Sequence, residues 1–199
     1  PLLLNDIKLL AEHALSYDMN CCLTTNGTMP EKLRFRGLFT AVNVSYHGDT
    51  ESLERSLDTL AQEGVTRGVN FLCAGFYMDD LDGVIRLCED YDAELLLLAY
   101  KTDRDHQNII PPERIREIAR QVSGVVRVAV DGAAAGICTA AHRFVTIDTE
   151  GYLMPCSFVR RREGNLLQEH PDTIWKARQR YVRCPYFGVD NSHCMEVEL

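Results

Sequence analysis

Short apolar runs alternate with amphipathic stretches through the first two thirds of the chain, and this alternation restricts the fold more than any other feature. Most of the runs are nearly continuous in apolar residues, which is typical of parallel strands covered on both faces. The alternation of strands and helices predicts βα units with right-handed crossovers, which form either an open sheet or part of a barrel. The predicted strands span residues 21–25, 40–45, 69–74, 94–100 and 125–130.

Helices are predicted before, between and after these strands. The first begins after Asn5, a residue suited to the N-cap, and another begins at Pro111 and Pro112, since proline costs little in a first helical turn. A last helix follows Pro171, with Asp172 as its cap. The apolar faces of the three helices between strands carry Leu53, Leu57 and Leu60; Leu81, Val84, Ile85 and Cys88; and Ile115, Ile118, Ala119 and Val122.

The character of the chain changes after Asp131. A small-residue stretch, GAAAG, is followed by FVTID, the turn TEG and YLMP, which together predict a β-hairpin. We therefore divide the chain into an α/β region over residues 1–132 and a smaller region over residues 133–199.

Charge and hydropathy exclude several classes of partner. The formal net charge of -8 leaves no excess of Lys and Arg to neutralise phosphates, which argues against nucleic acid and anionic lipid. The chain has no run of about 18 apolar residues and no secretory signal at its start, so we expect a cytoplasmic protein without a membrane segment. A small-molecule or peptide partner is favoured.

The eight cysteines fall into two groups. Spaced cysteines in a cytoplasmic protein more often bind metal than form disulfides. One group lies in apolar, regularly patterned segments, where cysteine behaves as a small buried hydrophobe. The other lies in the turn-rich last third. The first group is Cys21, Cys22, Cys73 and Cys88, and the second is Cys138, Cys156, Cys184 and Cys194.

The second group can form a four-thiolate site. Cys138 and Cys156 bracket the predicted hairpin, whose turn glycine, Gly151, lies five residues before Cys156 and can bring the two thiolates together. Cys184 and Cys194 could complete the set. Four thiolates suit an iron-sulfur cluster or zinc, while the structural alternative is a pair of ordinary thiols or a disulfide.

The same stretch resembles the auxiliary-cluster region of radical SAM proteins, known as the twitch or SPASM module. In that module a cysteine is followed by a strand, a glycine turn, a proline-cysteine pair, a glycine-asparagine pair and an isoleucine-tryptophan pair. The simplest pattern ends in two cysteines separated by two residues, whereas nine separate Cys184 from Cys194. The matching positions are Cys138, Gly151, Pro155, Cys156, Gly164, Asn165, Ile174 and Trp175.

The first region resembles the radical SAM barrel from its third strand onward. Pro1 and the following LLLNDIKLL look like the end of the family's glycine-glycine-glutamate-proline motif and its helix. LTTNGT ends the next strand at Asn26 and Gly27, and VNVSYHG resembles the strand whose terminal serine, here Ser45, lies near bound S-adenosylmethionine in the family. The resemblance implies a partial (β/α) barrel with Asn26 and Ser45 as cofactor-binding residues.

The resemblance also implies the chemistry. The intact protein would cleave S-adenosylmethionine reductively at a catalytic [4Fe-4S] cluster, and the resulting 5′-deoxyadenosyl radical would abstract hydrogen from a substrate. An auxiliary [4Fe-4S] cluster, or zinc, would occupy the four-cysteine site. The family's CxxxCxxC loop precedes its glycine-rich motif and would lie before Pro1, so we expect this chain alone to be inactive.

Other interpretations remain open. A zinc- or cluster-stabilised α/β binding module would have the same cysteines without catalysis. A doubly wound nucleotide-binding protein is disfavoured, because no GxGxxG or GxxxxGK loop follows any strand. An unpaired edge at residues 21–25 would favour dimers. The basic run Arg160, Arg161 and Arg162 either balances local charge or docks an acidic peptide or redox partner.

Overall fold

A computed structural model describes residues 1–3, 6–35, 37–102, 104–137, 139–159 and 161–177. The chain divides into two compact units, Pro1–Ala134 and Ala135–Leu199.

The first unit is built on a five-stranded parallel sheet. Its strands follow chain order across the sheet, so β1 is an edge strand. A doubly wound sheet would reverse direction part of the way across, whereas an unbroken order is the winding of a (β/α) barrel. The strands are β1 (Cys22–Thr25), β2 (Ala41–Ser45), β3 (Thr66–Cys73), β4 (Glu94–Ala99) and β5 (Val128–Val130).

Helices precede or connect these strands, as the sequence predicts. The helix before β1 starts at Ile7 with Asp6 in the N-cap position, and Asn5 lies outside the described residues. Asp49 caps the helix after β2 by accepting a hydrogen bond from the amide of Ser52. The helices are α1 (Ile7–Leu15), α2 (Thr50–Glu63), α3 (Leu81–Asp90), α4 (Pro112–Val122) and α5 (Gly132–Ala135).

Only one face of the sheet is fully buried. Helices α2, α3 and α4 contact β2 to β5, and alternate strand residues such as Val44, Phe71 and Leu97 form the core beneath them. The opposite face includes the half-buried Asn43 and Ser45. The prediction that both faces are covered is therefore wrong for this unit, because the second face carries polar side chains among its apolar ones.

Two strands begin more than one residue away from the predicted start. β3 begins three residues early, at Thr66, and includes Arg67, whose Nε donates to the carbonyl of Tyr91. β5 begins at Val128 because the amides of Val125 and Val126 still bond to Val122 at the end of α4. Hydropathy registers neither effect, since both involve hydrogen bonds to backbone carbonyls outside the predicted strands.

The second unit contains a small antiparallel sheet in which β7 is central. Strands β6 (Thr146–Ile147) and β7 (Tyr152–Met154) form the predicted hairpin, and β8 (Gly164–Asn165) adds a third strand that the sequence does not predict. Helix α6 (Pro171–Ala177) starts at Pro171. Asp172 consequently lies in its first turn and not at the predicted cap position.

No helix among the described residues is long and apolar enough to cross a membrane.

Candidate functional site

Two cavities open at the carboxyl ends of β1 and β2, where parallel sheets and barrels form their binding sites. They measure about 320 Å³ and 280 Å³, and both are lined by Asn26, Thr28 and Ser45. The structure thus brings together the two residues predicted to bind cofactor. The larger cavity is also lined by Val44, His47, Asp49, Ser52 and Leu53, and the smaller by residues 1–3, Thr24, Thr25 and Met29.

Asn26 is oriented by the turn that follows β1. Its Oδ1 accepts hydrogen bonds from the amide of Thr28 at 3.3 Å and from the Thr28 hydroxyl at 2.9 Å. The Thr25 hydroxyl accepts from the amide of Gly27 at 3.3 Å. Because the turn occupies the carboxamide oxygen, a ligand would meet the Asn26 amide nitrogen, which is a donor.

Gly27 joins this turn to α2. Its carbonyl accepts hydrogen bonds from the hydroxyls of Ser52 at 3.2 Å and Ser56 at 3.1 Å. Its φ of 73° is in the left-handed region, and a Cβ would lie 2.8 Å from Val44 Cγ1 and 2.9 Å from Ser56 Oγ. Asn26 and Gly27 therefore form a favourable turn. Gly27 also packs closely against α2, which holds this wall of the cavity in place.

Ser45 ends β2 beside an aromatic cluster. The next residue, Tyr46, is buried, and its ring stacks on Phe71 at 5.7 Å and meets Tyr77 edge-on at the same distance. Burial raises the pKa of Tyr46, and the nearby Asp80 adds to that effect, so the phenol stays protonated at neutral pH. Ser45 thus projects from a rigid support. His47, two residues on, is exposed and lines the same cavity.

Of the four predicted metal ligands, Cys156 alone lies within the described residues. It is half-buried just after β7, and its Sγ accepts a hydrogen bond from the amide of Val159 at 3.3 Å. Cys138, Cys184 and Cys194 lie outside the described residues, so the four-thiolate site stays a prediction. Among the residues that are described, no group of three or more His, Cys, Asp or Glu could hold a metal ion.

The other cysteines divide by burial. Cys73 and Cys88 are buried, as predicted, and burial raises the pKa of each thiol to about 12. Cys22 is exposed and Cys21 is half-buried, which corrects the prediction for that pair. Both precede or open the edge strand β1, where one side of the strand has no neighbour within the described sheet.

The motif residues of the second unit have structural roles. Gly151 turns the hairpin at φ 85°, and a Cβ on Gly164 would lie 2.8 Å from Ile174 Cγ1, so that glycine admits the buried isoleucine of α6. Asn165 accepts a hydrogen bond from the amide of Leu167 at 2.8 Å and donates from Nδ2 to the carbonyl of Glu150 at 3.2 Å. The glycine-asparagine and isoleucine positions thus hold this small sheet together.

The basic run beside the hairpin is engaged locally. Arg162 pairs with Asp148 at 3.1 Å and Glu150 at 2.8 Å, and lies 4.0 Å from the centre of the Tyr152 ring. Arg161 pairs with Glu163. Arg160 lies outside the described residues. These contacts favour local charge balance over partner docking for the two arginines.

Two polar residues that the sequence analysis missed carry buried atoms without a hydrogen-bond partner among the described residues, Asn70 Oδ1 and His142 Nε2. Asn70 interrupts the apolar run of β3, which is a readable signal, because a polar side chain in a buried strand needs a partner. His142 lies four residues after Cys138 in a turn, where nothing in the pattern distinguishes it.

Comparison with known proteins gives a fold. No family model and no curated protein sequence matches the chain. Among solved structures, Streptococcus suis SuiB superposes with a TM-score of 0.71 at 13% identity over 92% of this chain and 54% of that chain. The same protein bound to S-adenosylmethionine gives 0.70 at 13% identity over 96% and 56%.

A further match is native anSMEcpe with bound AdoMet and Kp18Cys peptide, with a TM-score of 0.56 at 14% identity over 80% of this chain and 57% of that chain. The chain therefore spans just over half the length of these solved structures. The folds of these solved structures agree with the order of strands β1 to β5 in this chain. This chain has the fold of a partial radical SAM (β/α) barrel with a carboxy-terminal hairpin and helix.

Proposed function

We propose that this chain is part of a radical SAM enzyme and binds S-adenosylmethionine at the carboxyl ends of β1 and β2. The observation that carries the proposal is the pair of cavities that share Asn26, Thr28 and Ser45, on a barrel fold whose solved counterparts include structures with that cofactor bound. The substrate that we propose is a small molecule or a peptide.

The cavities suit the cofactor in size and in lining. Ligand sites of roughly 300 Å³ and more are mostly apolar with a few placed polar groups. Here Val44 and Leu53 supply apolar surface, while Ser45 and the Asn26 amide supply hydrogen bonds. S-adenosylmethionine combines an apolar ring face with hydroxyl, amino and carboxylate groups, and so matches a site of this mixed kind.

The chain's own residues would bind and orient the cofactor. The Asn26 amide donates to an acceptor on the ligand, and the Ser45 hydroxyl can donate or accept. The carbonyl of Gly27 accepts hydrogen bonds from two serine hydroxyls of α2, which hold the turn that carries Asn26 against that helix. When S-adenosylmethionine is reductively cleaved at an iron-sulfur cluster, it supplies a 5′-deoxyadenosyl radical that abstracts hydrogen from the substrate.

We also propose that Cys138, Cys156, Cys184 and Cys194 hold an auxiliary [4Fe-4S] cluster, with zinc as the alternative. The amide that Val159 donates to Cys156 Sγ supports this, because hydrogen bonds to ligand sulfurs stabilise thiolates and set cluster potentials. The packing at Gly151 and Gly164 and the hydrogen bonds of Asn165 also support this proposal. They give a defined conformation to the hairpin that precedes Cys156. A redox partner that exchanges electrons with the cluster belongs to the same proposal.

Cofactor binding is tested by calorimetric titration of S-adenosylmethionine into the chain. Ser45→Ala and Asn26→Ala should each weaken the affinity about five- to tenfold, the effect of one lost hydrogen bond. Ser123→Ala is the matched control, because that exposed hydroxyl bonds only the carbonyl of Arg120 at the end of α4. Equal affinity in all four proteins would overturn this placement of the cofactor.

The auxiliary cluster is tested by iron, sulfide and zinc analysis of protein reconstituted without oxygen. The chain should hold about four irons and four sulfides, the content of a [4Fe-4S] cluster. Cys138→Ala and Cys156→Ala should lose them, whereas Cys22→Ala, at an exposed cysteine in the other unit, should keep them. One zinc in place of iron would select the alternative, and no metal in any sample would contradict both.

A further inference from the structure

Asn70 is a buried polar residue whose carboxamide oxygen has no hydrogen-bond partner among the described residues. The residue is 8% exposed, and Oδ1 makes no hydrogen bond with any described residue. Asn165 offers a direct comparison at 5% exposed, because its Oδ1 accepts from Leu167 and its Nδ2 donates to Glu150. Both of these buried asparagines lie in strands, but only Asn165 has a hydrogen-bond partner for its Oδ1 among the described residues.

The sheet register places Asn70 beside the proposed cofactor site. Ser45 of β2 pairs with Asn70 of β3, and Asn70 pairs in turn with Leu96 of β4. Paired residues on neighbouring parallel strands lie on the same face, about 4.8 Å apart across the sheet. Asn26 follows Thr25, the partner of Val44, and is therefore level with Ser45. Asn26, Ser45 and Asn70 form one polar row.

The row lies on the face of the sheet away from the helices. Phe71, the next residue of β3, is fully buried and stacks on Tyr46, on the side that α2 and α3 cover. Asn70 points the opposite way, as Ser45 does. On that face its neighbours are Gly68 and Leu72 along the strand and Ser45 and Leu96 across the sheet, and none of these described residues donates a hydrogen bond to Oδ1.

An unpartnered buried oxygen lowers stability, and an apolar residue would fit this position better on packing grounds. A partner from outside the described residues would remove this cost. Because the free atom is an acceptor, that partner must present a hydroxyl or amino group as donor. S-adenosylmethionine carries such donors on its adenosine part and on its methionine part.

We infer that Asn70 Oδ1 accepts a hydrogen bond from bound S-adenosylmethionine and, with Asn26 and Ser45, positions the cofactor along one row of the sheet. The inference rests on the proposed function and adds a third binding residue to it. Asn70 orients the ligand through a bond to a donor group, and no proton is transferred at this atom.

The test is calorimetric titration of S-adenosylmethionine into the wild-type chain and into Asn70→Leu, Asn70→Asp and Asn43→Ala. Asn70→Leu should bind about tenfold more weakly and melt at a higher temperature, because the orphan oxygen is gone. Asn70→Asp keeps an acceptor oxygen at the same position and should bind within about threefold of wild type. Titrations with adenosine and with methionine show which part donates.

Asn43→Ala is the matched control, since Asn43 lies on the same face one row earlier, with its side chain over Gly68, and should not affect binding. If Asn70→Leu does not fold, Asn70→Ala carries the same expected loss of affinity. Wild-type affinity in Asn70→Leu or Asn70→Ala would overturn the inference and leave the proposed function standing. No binding to the wild-type chain would overturn both.

Discussion

Gly27 occupies a position that no other residue can occupy without displacing β2 or α2. Its φ lies in the left-handed region, and a Cβ added there would lie 2.8 Å from Val44 Cγ1. Both features disfavour any residue with a side chain. We predict that Gly27→Ala lowers the free energy of unfolding by about 2–4 kcal/mol, the sum of a strained φ and an overpacked contact. Urea denaturation followed by far-ultraviolet circular dichroism measures this loss.

Gly83 is the matched control for Gly27. It lies in α3 with an ordinary backbone conformation, and a Cβ there would meet nothing within 4 Å. Gly83→Ala should raise the free energy of unfolding by about 0.5–1 kcal/mol, because alanine is the better helix former. A Gly27→Ala protein as stable as wild type would contradict the role assigned to the turn.

Asp148 gives the hairpin a dependence on pH. The amide of Tyr152, which donates to Asp148, lowers the pKa of that carboxyl from its ordinary 3.8, with the amide of Glu150 and the Arg162 guanidinium acting in the same direction. A lowered pKa means that the carboxylate's contribution is fully present above pH 3.8 and is lost as the pH falls through the folded value.

We therefore predict that the carboxyl resonance of Asp148 titrates below 3.8 in the folded protein, and that Asp148→Asn flattens the loss of hairpin stability in acid. Asparagine keeps an acceptor for the two amides and removes the titration. Amide hydrogen exchange at Tyr152, compared between the two proteins across acid pH, provides the measurement. Identical pH profiles would show that other carboxyls account for the dependence.

At the scale of the elements, apolar runs predicted β1, β2 and β4 to within one residue, because their limits coincide with the ends of hydrophobic patterns. β8 was missed, since Gly164 and Asn165 have turn-forming side chains and pair with β7 only in the folded unit. Asn26 and Ser45 could be found because they end strands. Asn70 interrupts an apolar run and could be noticed for that reason, but only the structure shows that no described residue bonds its Oδ1.

Asn165 connects two of the elements of the small sheet. It belongs to β8, and its side chain bonds the hairpin carbonyl of Glu150 and the amide of Leu167. We predict that Asn165→Ala lowers the stability of this unit by about 1–3 kcal/mol, the net contribution of the two hydrogen bonds that its side chain makes to the backbone. Trp175 in α6 is the chain's single tryptophan, so its fluorescence during urea denaturation reports on this unit.

Asn108 supplies the comparison for that experiment. It lies in the first unit, where its amide bonds the carboxylate of Asp105. Asn108→Ala should leave the fluorescence transition of Trp175 unchanged. If Asn165→Ala also left it unchanged, the asparagine of the glycine-asparagine pair would need a role other than support of the sheet.

At the scale of the whole molecule, the environment of the cysteines differs between the two units. Cys73 and Cys88 lie in the core of the first unit as protonated thiols, whereas Cys156 lies half-buried in the second with an amide donated to its sulfur. The proposed metal site and the proposed cofactor site would therefore use different residues of the chain. Loss of one can be measured while the other is intact.

The edge of the first unit exposes the surface that we expect to associate. β1 has no neighbour on its outer side within the described sheet, and Leu9 and Leu10 of α1 are 64% and 58% exposed. An open parallel edge and exposed leucines in the same unit each favour association with a second copy. We predict that the chain forms dimers as its concentration rises, and that Leu9→Lys with Leu10→Lys shifts it to monomers in light scattering after gel filtration. Leu167→Lys, at an 82% exposed leucine of the second unit, should leave the dimers intact, and a wild-type chain that stays monomeric would exclude this edge as an interface.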